Sequence, residues 1–161
     1  KIIYKMITFR KITKNNFEDI INLDAGKEGD KHVAKNYYSL LEAFFEHSIN
    51  DIKGIYLNKK LVGMVFYYSF NNTIWLHRLM IDQKYQNKGI GKQVLETLLK
   101  KIIKEENPDK IEFLTSNPLL LSKAAKYGFK KVNNSRSKNF YQKYKEHLFV
   151  LELKNNNQST Q

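Results

Sequence analysis

Two glycines one residue apart, Gly89 and Gly91, stand between an apolar run and a long helical pattern. Backbone N–H groups at the start of a helix have no partner within the first turn, and they lie at the positive end of the helix dipole. Because glycine has no Cβ atom, an anion can approach the backbone closely here, and Lys88 and Lys92 add positive charge. The spacing therefore predicts an anion site, with a plain strand-to-helix connection as the alternative interpretation.

A histidine, His77, is the candidate for proton transfer. It lies within the apolar stretch Thr73–Ile81, which is typical of a β-strand. Its reference pKa of about 6.5 allows it to accept a proton at neutral pH, although a histidine beside Trp75 can equally be a packing residue.

Acidic side chains that could bind a cationic substrate occur in the first third of the chain. They are Glu28, Asp30, Glu42 and Glu46. A solvated helix face, or charge pairing along a helix, is the simpler interpretation of these residues. We expect no metal site.

The composition limits the class of protein. The chain has 161 residues, which fits one domain, and its lack of cysteine excludes a structural disulfide and a thiolate nucleophile. We expect an intracellular, cytoplasmic protein, and no apolar run approaches the roughly 18 residues of a membrane span. The net charge of +12 indicates either an anionic partner or lysines scattered through a Lys-, Asn- and Ile-rich chain.

The order of the elements predicts an α/β fold. Apolar patterns indicate a strand at Ile7–Thr13 and three consecutive strands up to Ile81, which implies an antiparallel meander. Further strands follow the later helices, so we expect a single domain over residues 1–154, with a mixed, mostly antiparallel sheet flanked by helices. The polar stretch 155–161 is typical of a disordered tail.

Three of the predicted helices matter for the candidate residues. Ile90–Glu105 keeps apolar residues at a 3.6-residue period over four turns, and Asn117 is expected to cap a helix that starts at Pro118. The stretch His32–His47 also has apolar residues at helical spacing. These are Val33, Tyr38, Leu41, Phe44 and Phe45.

The stretch "LMIDQKYQNKGIGKQVLETLL" resembles the acyl-CoA-binding motif of the GNAT superfamily of N-acetyltransferases. The loop of that motif reads Gln/Arg-x-x-Gly-x-Gly/Ala, and Gln86, Gly89 and Gly91 occupy its fixed positions. Asn87 departs mildly, since glycine is common there. The order of elements also matches that fold along nearly the whole chain, and "VAKNYYSLLEA" with "LMIDQKYQ" is similar to bacterial spermine/spermidine acetyltransferases.

The resemblance implies acetyl-CoA as co-substrate, with its pyrophosphate on the N–H groups of the glycine loop and its pantetheine beside the end of the preceding strand. The residues implied for the coenzyme are Leu79, Met80, Ile81, Gln86, Asn87, Lys88, Gly89, Ile90, Gly91, Lys92 and Asn117. His77 stands where polyamine acetyltransferases often carry a glutamate that accepts the proton of the amine.

The resemblance also implies a general acid, usually a tyrosine seven residues after the asparagine. That count from Asn117 reaches Ala124, which has no proton to donate. Tyr127 is the first substitute, and Tyr141 and Tyr144 are alternatives.

These expectations together predict an acetyl-CoA-dependent N-acetyltransferase in which a primary amine of a small molecule, such as a polyamine, attacks the thioester directly. An acceptor amine on an aminoacyl-tRNA or a protein is the alternative. A nucleic-acid-binding module without catalysis is less favoured, because no helix has the dense Arg/Lys register of a groove reader. Analogy with the family leaves a homodimer open.

Overall fold

The computed structural model describes residues 6–154. The predicted tail 155–161 lies outside the described residues. The chain divides into two compact units, which are described separately: residues 6–68 with 77–101, and residues 69–76 with 102–154. No helix within residues 6–154 is long and apolar enough to cross a membrane.

Seven strands and six helices make up the described part of the chain. The strands are β1 (Ile7–Lys11), β2 (Ile52–Leu57), β3 (Lys60–Phe70), β4 (Thr73–Ile81), β5 (Lys110–Thr115), β6 (Lys130–Lys131) and β7 (His147–Glu152). The helices are α1 (Phe17–Ile21), α2 (Gly26–Gly29), α3 (Asn36–Glu46), α4 (Ile90–Glu106), α5 (Pro118–Lys123) and α6 (Ser135–Tyr144). Short 3₁₀ turns occur at Ile49–Asp51, Gln83–Tyr85 and Ala124–Tyr127.

In the first unit the strands are ordered β1-β2-β3-β4. β1 and β2 are antiparallel, as are β2 and β3, with a bulge between Ile55 and Tyr56. The two-residue turn between β2 and β3 places Asn58 and Lys59 at positive φ, a conformation that suits tight hairpins. The predicted meander is therefore present.

The core of the first unit is a cluster contributed by α1, α3 and the strands. It contains Ile20, Ala25, Ala43, Ile52, Met64, Phe66 and Met80. Helix α3 buries only Asn36, Ser39 and Ala43, all small or polar. The sequence correctly predicts the helix. Leu40 packs against this core, but the other large apolar residues of α3 are exposed, which the spacing alone did not indicate.

In the second unit the order is β4-β5-β7-β6. β4 is parallel to β5, as expected for strands joined through a helix, while β7 is antiparallel to both β5 and β6. The pairings within the two units confirm a mixed, mostly antiparallel α/β fold. Phe113 packs edge-to-face against Phe129 and stacks on Phe149, which places aromatic rings in the core of this unit.

Two helical segments were not predicted. Helix α2 lies in a short segment with two glycines and no apolar period, so the sequence contains no helical signal there. Helix α6 has no apolar period, so its signal is its cap: Asn134 Oδ1 accepts from the Ser137 N–H and Ser137 Oγ accepts from the Asn134 N–H, each at 2.9 Å. Helix α5 starts at Pro118 as expected but gives way to a 3₁₀ turn at Ala124.

A buried carboxylate ties α6 to the sheet of the second unit. Glu112 on β5 is 1% exposed and accepts two hydrogen bonds from Arg136, at 3.0 and 2.7 Å, while Lys110 lies 2.8 Å away. The Arg136 guanidinium also lies over the ring of Trp75, 5.0 Å from its centroid. Burial disfavours the charged form of Glu112, but the hydrogen bonds from Arg136 and Lys110 prevail and lower its pKa.

We predict that Arg136→Met lowers the free energy of unfolding at pH 7 by about 2 kcal/mol, because it leaves a buried carboxylate without its bidentate partner. The lowered pKa of Glu112 means that its contribution is complete above its unfolded pKa of about 4.3 and is lost as pH falls through the folded value. Urea unfolding of the full chain should therefore show a smaller difference at pH 3 than at pH 7. Lys126→Met, which changes an exposed lysine of the same unit, is the control, and an equal loss for Arg136→Met at both pH values would contradict the assignment.

Candidate active site

The loop between β4 and α4 is anchored by the buried Asp82. Its N–H donates to the Val62 carbonyl at 2.9 Å, Oδ1 accepts from the Lys84 N–H at 2.9 Å, and Oδ2 accepts from the Asp24 N–H at 3.1 Å. One carboxylate therefore caps the 3₁₀ turn and holds the segment after α1 against it.

Gln86 holds the same loop from the other end. Its side-chain amide donates to the carbonyls of Ile81, at 2.7 Å, and Ala25, at 2.9 Å, and its backbone N–H donates to Gln83. The amide hydrogens of this motif residue are thus engaged with backbone. Gln86 therefore positions the loop, and its oxygen is the part of the amide left for a ligand.

The two glycines have different physical roles. Gly89 has φ of +75°, and a Cβ atom built there would meet nothing within 4 Å. Gly91 has ordinary helical geometry, and its Cβ would meet only Ile81, at 3.8 Å. Gly89 is therefore required for its backbone conformation, and the space around both positions is free of described protein atoms at clashing distance.

The first N–H groups of helix α4 have no hydrogen-bond acceptor within the helix. The Gln93 N–H donates to the Gly89 carbonyl at 3.2 Å, and the N–H groups of Ile90 to Lys92 precede this bond. Lys92 is largely exposed, with Glu96 3.8 Å away, and Lys88 Nζ donates to the Lys84 carbonyl at 2.7 Å. The loop combines free amide dipoles with lysine charge, which is chemistry that suits a phosphate.

His77 on β4 is bound to a carboxylate from α3. Its Nε2 lies 3.0 Å from Oε1 of Glu42, while a guanidinium N–H of the next residue, Arg78, donates to Oε2 of the same carboxylate. The ring of His77 packs edge-to-face on Phe66, with centroids 4.9 Å apart, and its side chain is 29% exposed. Glu42 thus bridges two consecutive residues of one strand.

The electrostatics make His77 a neutral base at pH 7. Burial and the nearby Arg78 charge lower the pKa of His77, although Glu42 acts in the opposite direction. The pKa of Glu42 is lowered as well, because Arg78 and His77 outweigh the effect of burial. An ionised carboxylate can only accept, so Nε2 carries the hydrogen and Nδ1 carries the lone pair that can take a proton.

Aromatic and acidic groups surround this pair. The ring of His47 stacks on Tyr68 at 4.1 Å and lies 6.3 Å from His77. One ligand atom each from Glu42, Glu46 and His47 lie within 4.8 Å of one another. Glu42 is already engaged by Arg78 and His77, so Glu46 is the carboxylate of this group that an incoming cation would meet.

The other acidic candidates are paired close to their own positions. Glu28 Oε1 lies 2.6 Å from Nζ of Lys31, and Asp30 is paired with Lys35. All four side chains belong to one short segment of the first unit. This local pairing was the simpler interpretation from the sequence, and it leaves no concentrated negative charge there.

The predicted coenzyme strand has two faces. Met80 is buried in the core cluster, whereas Leu79 and Ile81 are half-buried. Gly63 on β3 comes so close that a Cβ atom there would lie 2.3 Å from the Met80 carbonyl. It stays a prediction that the backbone of these three residues lies beside the pantetheine of the coenzyme.

The remaining candidates lie in the second unit. Asn117 Oδ1 accepts from the Leu119 N–H at 2.9 Å, so the predicted helix cap is present. Tyr127 ends the 3₁₀ turn after α5 and is half-buried. Tyr141 and Tyr144 are exposed residues of α6, and Tyr141 stacks on His147 at 4.9 Å. Their roles toward the coenzyme and the thiolate stay predictions.

Sequence reasoning missed the partner of His77. Glu42 lies 35 residues away along the chain and was considered only as a carboxylate for a cationic substrate, and Arg78 was not singled out. No local pattern connects a helix residue to a strand residue at that distance. The available signal was a carboxylate, Glu42, placed among the aromatic residues of α3.

Comparison with known proteins identifies a family for this chain. A model of the Acetyltransferase (GNAT) family matches residues 17–129. The spermine/spermidine N(1)-acetyltransferase of Bacillus subtilis (strain 168) is 29% identical over 101 residues, which are 58% of this chain and 66% of that protein. The chain thus spans just under two thirds of the length of this curated relative.

Solved structures show the same fold. The PaiA N-acetyltransferase from Thermoplasma acidophilum, in complex with coenzyme A, aligns with a TM-score of 0.64 at 18% identity and covers 92% of this chain and 99% of that chain. N-acetylglutamate synthase from Neisseria gonorrhoeae, complexed with coenzyme A and N-acetyl-glutamate, aligns with a TM-score of 0.68 at 16% identity, over 92% of this chain and 35% of that chain. The fold expected from the loop motif is confirmed.

We predict that His77 titrates below the ordinary histidine pKa of about 6.5, and that Glu42→Gln lowers its pKa further. The substitution removes the carboxylate that favours the imidazolium and leaves Arg78, which disfavours it. Titration of the imidazole protons by NMR, assigned with His77→Gln, measures both values. Glu46→Gln is the matched control on the same helix. A rise in the pKa of His77 in Glu42→Gln would contradict the assignment.

Proposed function

The chain belongs to the GNAT acetyltransferase family, and from that premise we propose that it transfers the acetyl group of acetyl-CoA to a primary amine of a small molecule. The observation that carries this proposal is the glycine loop at the start of α4, held in place by Gln86 and Asp82. We propose this activity for the whole protein, and we propose that it acts in the cytoplasm.

The coenzyme would bind where amides and lysine charge coincide. Its diphosphate would accept hydrogen bonds from the N–H groups of residues 88–92, which precede or begin α4. Backbone at Leu79 to Ile81 would run beside the pantetheine, and Asn117 would contact the coenzyme from the next helix. Support for this placement comes from the PaiA structure, which holds coenzyme A on the same fold.

The acceptor must lose a proton before it attacks. His77 is neutral at pH 7, and Glu42 holds its Nε2–H, so Nδ1 accepts the proton of the ammonium. The free amine then attacks the thioester carbonyl, the nitrogen of the tetrahedral intermediate loses its second proton to water, and the C–S bond breaks to give the amide and a thiolate. Tyr127 is the first candidate to protonate that thiolate, and a thiol with pKa near 8.5 also leaves acceptably without help.

A polyamine is the acceptor that we favour. The matched relative in B. subtilis is named a spermine/spermidine acetyltransferase. In this chain Glu46 lies beside Glu42 and His47, so a carboxylate is available for a second ammonium group of the substrate. The net charge of +12 opposes a polycation, but screening over about 8–10 Å allows a local acidic group to prevail.

Two other acceptors are outcomes of the same assay. An amine of a protein or an aminoacyl-tRNA would use the same loop and the same base, and it would place the excess of lysine in contact with the macromolecule. A protein that only binds nucleic acid would leave acetyl-CoA intact whatever amine is added.

We predict release of free coenzyme A thiol when the protein is mixed with acetyl-CoA and spermidine or spermine, and less release with a peptide amine or an aminoacyl-tRNA. His77→Ala should lower turnover by about 10²–10⁴ without changing the affinity for coenzyme A, because it removes the proton acceptor and leaves the residues of the glycine loop in place. His32→Ala is the control histidine of the same unit. Absence of thiol release with every amine would contradict the proposed activity, and an unchanged turnover in His77→Ala would return His77 to a packing role.

We also predict that Gly89→Ala and Gly91→Ala differ in their effects on the coenzyme. Alanine at the positive φ of Gly89 costs about 1 kcal/mol or more and moves the loop amides, so the dissociation constant for coenzyme A should rise about tenfold or more. Alanine at Gly91 meets only Ile81 at ordinary contact distance and favours the helix, so affinity should be kept. Isothermal titration calorimetry measures both, and equal affinities in the two variants would count against phosphate binding at this loop.

A further inference from the structure

The excess of positive charge is not evenly distributed along the chain. Between Phe113 and Lys145 there are eight lysine and arginine residues and no aspartate or glutamate. This stretch therefore carries most of the net charge of +12. Its charges belong to the second unit, where they lie on α5, β6 and α6 and on the residues that follow them. Like charges gathered in one region repel one another, and an anionic ligand would relieve this repulsion.

A cavity of about 510 Å³ lies between α6 and the strands β6 and β7. Its charged walls are Lys131 of β6 and Lys138 of α6, and His147 at the start of β7 lines it as well. No acidic residue of the described chain is among those that line it, although Glu146 precedes His147 in the sequence. Sites for small molecules have volumes of roughly 300–1,000 Å³, so this cavity is large enough for a small organic anion.

The remaining walls of the cavity are partly apolar. Val132 and Leu148 contribute aliphatic side chains, and the ring of Tyr141 stacks on His147 with the centroids 4.9 Å apart. A few charged groups beside apolar walls are typical of a site for a small molecule. The arrangement suits a ligand with an anionic group at one end and a carbon body at the other.

Contacts outside the cavity hold its walls in place. Arg136 donates two hydrogen bonds to the buried Glu112, which fix α6 to β5. The Val132 N–H donates to the Leu148 carbonyl at 2.9 Å, and a capping box closes the start of α6. The backbone that carries the two lysines is therefore positioned without a ligand, which lowers the cost of ordering the site on binding.

The charges of the cavity suit a phosphate better than a carboxylate. Lysine ammonium groups bind phosphate as point charges, whereas a planar carboxylate is matched by the fork of an arginine. The arginine of α6, Arg136, is already paired with Glu112. A phosphate monoester carries about −1.5 to −2 charges at pH 7, which two ammonium groups balance.

The imidazole of His147 completes this group of donors. Burial and the charge of Lys131 lower the pKa of His147, so the ring is neutral at pH 7. A neutral imidazole donates one hydrogen bond, and it adds no further positive charge beside the two lysines. A bound dianion would favour the imidazolium and raise this pKa, which makes His147 a reporter of binding.

We propose that this cavity, called here the α6 cavity, binds a small organic phosphate monoester. Lys131 and Lys138 bind the phosphate, His147 donates a hydrogen bond to it, and Leu148 and Tyr141 contact the carbon body. None of the described residues expected to hold the coenzyme lines the α6 cavity, so the proposal goes beyond the proposed acetyl transfer. Charged and apolar groups meet in one cavity of ligand size, which favours a small molecule over a nucleic acid strand, since a strand requires a groove with successive stacking platforms.

The first test is a titration of the full chain with phenyl phosphate, followed by NMR of the imidazole protons of His147, which His147→Gln assigns. We expect these signals to shift with concentration and the pKa of His147 to rise on binding. At pH 8, where the phosphate is a dianion, Lys131→Gln and Lys138→Gln should each raise the dissociation constant about tenfold or more, because each removes a charge-assisted contact. Both lysines are exposed, so the variants should stay folded.

Lys143→Gln is the matched control, because it removes the same charge from an exposed position of the same helix outside the α6 cavity. It should bind phenyl phosphate as tightly as the unaltered chain. An equal loss of affinity in all three lysine variants would overturn the proposal, since it would indicate a general attraction to the basic stretch. Absence of any shift of the His147 signals with phenyl phosphate would also overturn it.

The second test compares ligands through the same His147 signals. Benzoate keeps the ring with a planar, singly charged group, and inorganic phosphate keeps the charge without a carbon body, so both should bind more weakly than phenyl phosphate. Equal affinity for either would overturn the assignment to a phosphate monoester. Binding of a single-stranded RNA that Lys131→Gln and Lys138→Gln weaken, without binding of phenyl phosphate, would overturn it in favour of nucleic acid.

A competition with coenzyme A separates this site from the proposed activity. One equivalent of coenzyme A should leave the affinity of the α6 cavity for phenyl phosphate unchanged. Displacement of phenyl phosphate from His147 would overturn the proposal, because the cavity would then belong to the coenzyme site. None of these measurements depends on acetyl transfer, so the α6 cavity and the proposed activity can fail separately.

Discussion

One carboxylate organises the candidate site of the first unit. Glu42 projects from α3, accepts a hydrogen bond from Arg78 and lies 3.0 Å from His77 Nε2. Its ionised state is maintained by these two neighbours in spite of partial burial. The same contact determines the tautomer of His77 and joins the helix to the strand. A neutral base and the position of a helix thus depend on a single side chain.

The protonation states of His77 and Glu42 depend on all three groups, His77, Glu42 and Arg78. Arg78 supplies the positive charge that allows Glu42 to stay ionised, and that charge lowers the pKa of His77 together with burial. Glu42 limits this decrease but does not reverse it. The histidine therefore stays neutral at pH 7 while its orientation is held by a charge.

Polar side chains near the loop act mainly on the backbone. Asp82 and Gln86 are sequence neighbours of the glycines, and each is engaged with main-chain groups of β4 or of the segment after α1. The amides of residues 88–92 are therefore left available for a ligand, because Asp82 and Gln86 hold the loop backbone in place. Helix α3 follows a related division, with small and polar residues and Leu40 toward the core and large apolar residues exposed.

The sequence by itself determined the elements that depend on local rules. The period of α4, the cap of α5 at Asn117 and the glycine loop were all readable from residue type and spacing. Those rules act within a few residues, and the loop motif also indicated the family. Helix α6 was missed because its signal is a cap with no apolar period behind it. Only the tertiary structure decided which side of α3 is buried and which residue holds His77, because both depend on contacts between different elements, where spacing along the chain carries no distance information.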